Sequence, residues 1–194
     1  GVDFDLFNQA CRDGSIEKPA DLKNIKWPII GFYGLISGDW IDYGLVEYLA
    51  QNRPQWSLVL IGKIDRRGDA KLPQRDNIHY LPVKPYEELY RYSRFFDVAI
   101  LPFNINPLTM RSHPLKILEY LSAGRPVVSV NIPETEKYAR VIAVASDHNG
   151  FINQIENYLQ HDQAGQQKVR VEFAATNSWD KRFDEIQNII NNGR

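Results

Sequence analysis

Short apolar runs that recur after every helix-length stretch limit what this chain can fold into. Ile29–Ile36, Trp56–Gly62, Ile78–Leu81, Asp97–Pro102, Pro126–Val130 and Val141–Ala145 have the length and composition of buried strands. Between them, Asp42–Gln51 places Leu45, Tyr48 and Leu49 at helical spacing, and Pro85 opens a helix over Tyr86–Arg94. A third helix is predicted over 114–123, stopped by Gly124, and the spacings Phe151-Ile155-Tyr158-Leu159 and Phe183-Ile186-Ile190 make the C-terminal third mostly helical. Parallel strands need crossovers and helices supply them, so the predicted class is α/β with a doubly wound, mostly parallel sheet. Residues 1–26 are polar and broken by Gly14 and Pro19, which predicts an irregular arm. Residues 27–176 then form the domain and 177–194 a terminal helix.

Ligands of such sheets sit beyond the carboxyl ends of the strands, which singles out the loops 34–41, 62–70, 81–86 and 102–115. In the first, Gly34, Ser37 and Gly38 are small enough for a backbone to approach a phosphate. The second offers Lys63, with Arg66 and Arg67 beyond it, for which a solvated loop charge is the simpler reading. The third carries Val83 and Lys84. The fourth leads through Arg111, Ser112 and His113 to Pro114 and Leu115 at a helix start, where unpaired amides suit an anion and Ser112 or His113 can cap. Lys116 in the first turn opposes the helix dipole unless an anion is near, and Glu119 is placed to accept hydrogen bonds from hydroxyls beside that anion.

Composition removes several other classes. With 23 Lys and Arg against 24 Asp and Glu, the net charge of −1 gives no general attraction to nucleic acid or an anionic membrane. No apolar run approaches the ~20 residues that span a bilayer, and no signal-peptide pattern precedes the first strand. The single cysteine, Cys11, permits no intrachain disulfide and fits a reducing compartment, so the expected location is the cytoplasm. No Cys/His cluster has zinc spacing, no Gly-x4-Gly-Lys-Ser/Thr loop exists, and His79, His113, His148 and His161 are scattered without a nucleophile motif. Asp3-Phe4-Asp5 has the spacing of a metal-binding Asp-x-Asp but lies in the arm and reads as structural; no metal site and no cofactor are expected. Trp27, Trp56 and Trp179 read as core or interdomain packing residues rather than a sugar-stacking platform.

The stretch Glu119-Tyr120-Leu121-Ser122-Ala123-Gly124-Arg125-Pro126-Val127-Val128 resembles the donor-binding element of GT-B glycosyltransferases of group 1, in a divergent form. Leu81–Leu89 is similar to the segment by which that family holds a nucleotide base. Gly1-Val2-Asp3…Phe7 resembles the start of its second domain, and Asn177-Ser178-Trp179 resembles the start of its crossover helix. The resemblance implies a Rossmann-like C-terminal half of a GT-B fold that binds a nucleoside-diphosphate sugar, UDP- or GDP-linked. It also implies an acceptor domain in cis that this chain lacks, and a whole enzyme able to associate peripherally with a membrane. Glu119 would hold the ribose, Lys116 and Lys63 the phosphates, and the 81–86 loop the base, without a metal. The sequence departs from the family at two places. The Arg and Lys that follow the first glycine are absent, which leaves Trp40 and Tyr43 to line the cleft, and Arg111 stands where a first glutamate is usual. Instead Asn106, Leu108, Thr109, Pro114, Leu115, Lys116, Glu119, Tyr120 and Leu121 follow a variant pattern. Two alternatives stay open: a degenerate, non-catalytic module that binds a partner, and a nucleotide-sugar 2-epimerase relying on His113 and Glu119.

Overall fold

The computed structural model describes residues 1–65 and 71–192, so the basic pair Arg66 and Arg67 lies outside the described residues. Six strands form one sheet in the order β3-β2-β1-β4-β5-β6: β1 (Ile29–Tyr33), β2 (Ser57–Ile61), β3 (Ile78–Leu81), β4 (Val98–Leu101), β5 (Val127–Val130) and β6 (Ala143–Ala145). Every pairing is parallel, with Gly31 opposite Val59 on one side and Ala99 on the other. Strands β1, β2, β4 and β5 are buried at every residue, as expected for a sheet covered on both faces. The strand order reverses between β1 and β4, and a crevice opens at such a switch point, outside the carboxyl ends.

The N-terminal segment departs from the expected irregular arm. Asp3 caps helix α1 (Phe4–Arg12) by accepting from the Leu6 amide at 3.1 Å, and Phe7 and Ala10 are fully buried against the domain. Gly14 and Pro19 break the chain only after the helix has ended, which is why they do not prevent it. A 3₁₀ turn at Ala20–Leu22 follows, and Val2 pairs through its backbone with Asn177 and Trp179 at the other end of the chain.

Helix α2 (Tyr43–Asn52) is capped by Asp42, whose carboxylate accepts from the Leu45 amide at 2.9 Å. The helix expected over Tyr86–Arg94 is split into a 3₁₀ turn, Tyr86–Glu88, and α3 (Leu89–Ser93). The helix expected at 114–123 is shorter, α4 (Lys116–Ser122). Its end is as the sequence predicts: Gly124 takes φ +69°, its amide donates to Leu121 and that of Arg125 to Tyr120, closing a Schellman turn into β5. Its start is not, because no side chain caps it: Ser112 Oγ donates to the Thr109 carbonyl at 2.7 Å, and His113 is drawn off by another partner.

The short helix α5 (Pro133–Glu136) and helix α6 (His148–His161) follow β5 and β6. Helix α7 (Ala164–Ala175) comes next, unannounced by the sequence pattern, and α8 (Trp179–Asn192) ends the described chain. The α7 side chain Arg170, 3% exposed, donates to the Gly124 carbonyl at 3.0 and 3.1 Å and to both Asp162 oxygens at 2.7 Å. A cation at a helix C-terminus is favourable, so this contact fixes the carbonyl end of α4 and with it the other end that faces the crevice. Among the described residues no helix is long and apolar enough to cross a membrane.

Candidate functional site

Cavities of several hundred Å³ lie among the described residues, and three of these cavities are sizeable. One of about 560 Å³, beside Trp27, Trp56 and Asn77, is at the amino ends of the strands; another of about 380 Å³ lies between β6, α6 and α7. The third, about 450 Å³, is at the switch point itself, where topology predicts a ligand. Its floor is Tyr33 and Gly34 from the end of β1, one wall is Ser112 to Lys116 and Glu119, and the others are Trp40, Phe103, Tyr86 and Leu89.

Two loops are stitched together to make this shape. Asn104 donates its side-chain amide to the carbonyls of Gly38 and Ile41, and Asn106 donates to Asp39 at 2.8 Å. The Asn106 side-chain oxygen in turn accepts from the amides of Leu108 and Thr109 at 2.9 and 3.0 Å, and the Thr109 hydroxyl donates to the Asn104 carbonyl. Asn106, Leu108 and Thr109 are therefore a turn built on a side-chain amide, the physical content of that part of the sequence pattern. Gly34 takes φ +146°, and a Cβ there would lie 3.3 Å from Lys116 Cε, so glycine leaves room for the lysine.

The chemistry is concentrated in two half-hidden charges. Glu119 is 8% exposed, and burial pushes its carboxyl above the ordinary range, opposed by the neighbouring Tyr33, Lys116 and Tyr86. Burial pushes the half-buried Lys116 ammonium down, with Glu119 opposing that shift. Lys116 Nζ lies 5.7 Å from the Phe32 ring and 5.4 Å from the Phe103 ring, and it forms no ion pair with any described residue. A partly desolvated cation that forms no ion pair among the described residues, near a buried carboxylate with spare lone pairs, suits a ligand carrying both an anionic group and hydroxyls.

Seven of the sequence-predicted residues, Gly34, Ser112, His113, Pro114, Leu115, Lys116 and Glu119, line this cavity. The other six do not. Ser37 is buried beneath the first loop, and Gly38 serves it through its carbonyl. Lys63 is exposed and does not line the cavity, and Arg111 is exposed on the 3₁₀ turn Thr109–Arg111. Val83 is 64% exposed, and Lys84 is turned inward to Asp21 at 2.6 Å and to the Tyr92 ring, clamping the 3₁₀ turn at 20–22 to the domain. Within the set that does line the cavity, His113 pairs with Glu134 at 2.8 Å and ties the loop to α5.

Trp40 lines the cavity as expected, whereas Tyr43 begins α2 outside it. Of the three tryptophans read as packing residues, Trp56 is buried, but Trp27 and Trp179 are exposed on this chain. Sequence reasoning missed Tyr33, Tyr86, Leu89 and Phe103 as lining residues. Their signal was position: Tyr33 lies within a predicted strand, Phe103 directly follows one, Tyr86 closes the third loop and Leu89 lies three residues beyond it.

The model of the family described as glycosyl transferases group 1 matches residues 28–161. A Bacillus subtilis (strain 168) protein, TuaH, named as a teichuronic acid biosynthesis glycosyltransferase, is 29% identical over 196 residues, covering 96% of this chain and 48% of its own length. Among solved structures, HepE of Anabaena in complex with UDP and glucose superposes with a TM-score of 0.62 at 14% identity, over 91% of this chain and 50% of that one. The sucrose-phosphate synthase of Thermosynechococcus elongatus gives 0.62 at 17% identity, over 100% and 52%. The chain thus spans about half the length of the relatives it matches, and its fold is that of one half of those proteins.

Proposed function

The chain belongs to the glycosyl transferases group 1 family, and from that premise we propose that the switch-point cavity binds the nucleoside-diphosphate part of a UDP- or GDP-linked sugar, for transfer to an acceptor held by another part of the whole protein. One observation carries the reading: Lys116, which forms no ion pair among the described residues, and the buried Glu119 share a cavity at the carboxyl ends of β1 and β4. In this reading Lys116 meets the diphosphate, whose charge grows as the sugar departs, so its attraction strengthens along the reaction. Glu119 accepts hydrogen bonds from two ribose hydroxyls. The base lies along the 81–86 loop, where Tyr86 offers a ring face, and the amides at Leu115 and Lys116 stand beside the phosphates. The reading assigns no role to a metal ion.

HepE carries UDP and glucose, and another solved relative, an E. coli trehalose-6-phosphate protein, is bound with UDP-2-fluoro glucose, which favours a UDP-linked donor by likeness. The name of the B. subtilis relative points toward polysaccharide assembly. The acceptor and any base that activates it belong, in this proposal, to a second domain in cis. The 2-epimerase alternative loses support because His113, the imidazole it needs, is held by Glu134 with its side chain 72% exposed. Calorimetric titration of the 194-residue chain with UDP, GDP and their sugars, in EDTA, tests the proposal. Saturable one-site binding weakened at least tenfold by Glu119→Ala is expected, and no binding of any of them would refute it.

A further inference from the structure

Tyr33, on the floor of the cavity, carries a hydroxyl to which the proposed function gives no role. It is the last residue of β1 and 3% exposed, and its ring is packed by Phe7 at 6.5 Å, Phe96 at 6.4 Å and Tyr120 at 4.6 Å between centroids. Its amide donates to the Tyr120 hydroxyl at 3.0 Å. Its own hydroxyl is sealed from solvent and closes no hydrogen bond of good geometry. The two polar groups beside it are the Ser93 hydroxyl, already donating to the Leu89 carbonyl at 3.1 Å, and the Glu119 carboxyl. A phenylalanine would fill the same space without stranding a donor, and a buried donor left unmatched costs stability. The hydroxyl therefore calls for a state of the protein in which it is used.

We propose that Tyr33 is a positioning residue for Glu119, a donor held ready beneath the carboxylate whose hydrogen bond closes when two ribose hydroxyls of a nucleoside diphosphate orient the carboxylate from the cavity side. The inference rests on the nucleotide reading of that cavity. An ionised carboxylate has about four acceptor sites. Two meet the ribose diol from the cavity side, which leaves the rear for Tyr33 and the rim for Tyr86, whose half-exposed ring leans on Phe7 at 5.5 Å. With both phenols in place the carboxylate has one orientation, set by β1 below and by the turn before α3 above.

The groups that face Glu119 are Tyr33 from β1, Tyr86 from the turn before α3, and Lys116 and Tyr120 from its own helix. Binding requires the ionised carboxylate, and Tyr33 favours that form. Removing the hydroxyl raises the carboxyl further, so nucleotide binding should fail at a higher pH.

The experiment compares the parent chain with Tyr33→Phe and Glu119→Ala by calorimetry with UDP, GDP and 2′-deoxy-UDP across pH, alongside thermal melts. For Tyr33→Phe we expect an unchanged or higher melting temperature, about tenfold weaker binding of the ribonucleotide, a reduced preference for it over the deoxy analogue, and an acid limb moved to higher pH. Parent-like affinity and pH profile in Tyr33→Phe, with Glu119→Ala defective, would overturn the role of Tyr33 and leave the nucleotide reading standing. A melting temperature lowered together with affinity, with discrimination and pH profile unmoved, would mean a structural role only and overturn it too. A parent chain that binds no nucleotide would remove the reading itself and the inference with it.

Discussion

At the scale of single residues, the site is a place where two charges are kept partly dry at a cost to the empty protein. Glu119 illustrates the sign. Its folded-state carboxyl is raised by burial, so the associated stability is fully present below the ordinary glutamate range and is lost as pH rises through the raised value. Glu119→Gln should therefore raise the melting temperature near neutral pH, with the gain vanishing as pH falls toward 4, the ordinary glutamate range. The same variant should bind nucleotide at least tenfold more weakly; a melting curve identical to the parent at pH 7 would contradict the account of its burial. Lys116 obeys the opposite arithmetic, since its ammonium is pushed down and a neutral side chain of similar length, as in Lys116→Met, should leave the apo fold no less stable while weakening diphosphate binding. Stability measured by urea titration and affinity by calorimetry should thus move in opposite directions.

At the scale of elements, the supports behind the site are as specific as the site. Arg170 joins α7 to the carbonyl end of α4 and to Asp162, and it is buried. Arg170→Met would leave the buried Gly124 carbonyl without its donor, and about 2 kcal/mol of unfolding free energy should disappear in urea denaturation, the usual scale for a buried polar group left unmatched. A loss below about 1 kcal/mol would show that α4 does not depend on this contact. The elements also show what the sequence could and could not reveal. Strands buried on both faces announced themselves by continuous apolar runs, and Gly124 announced the end of α4. Helix α1 stayed hidden because Gly14 and Pro19 suggested an irregular arm over a segment whose helix is held by Phe7 and Ala10 packing on the domain. Helix α7, inside a C-terminal third read as mostly helical, was not delimited because its apolar residues form no clear helical stripe and its anchor is a buried arginine. In the site, Lys116 and Glu119 were legible from their register before a Gly-x-Pro-Val-Val stretch. Lys84 was not, because only the tertiary partner Asp21 decides where that lysine points.

At the scale of the whole molecule, one surface is unlike the rest. Trp179, Phe183, Ile186, Ile189 and Ile190 stand exposed along α8, at the segment that the backbone of Val2 ties to the start of the chain. These side chains are each more than half exposed, so Phe183→Glu combined with Ile190→Glu should change the unfolding free energy by no more than about 0.5 kcal/mol. Nucleotide affinity should be unchanged as well. A cooperative loss of stability in that double variant would show that α8 belongs to the core of this unit.

The central claim is that the crevice at the carboxyl ends of β1 and β4 takes a nucleoside diphosphate between Lys116 and Glu119. Its most direct test is calorimetry of the 194-residue chain with UDP and GDP, run beside Glu119→Ala under identical conditions. The account predicts one saturable site, weakened at least tenfold in the variant. Binding of neither nucleotide, or equal binding by parent and variant, would contradict it.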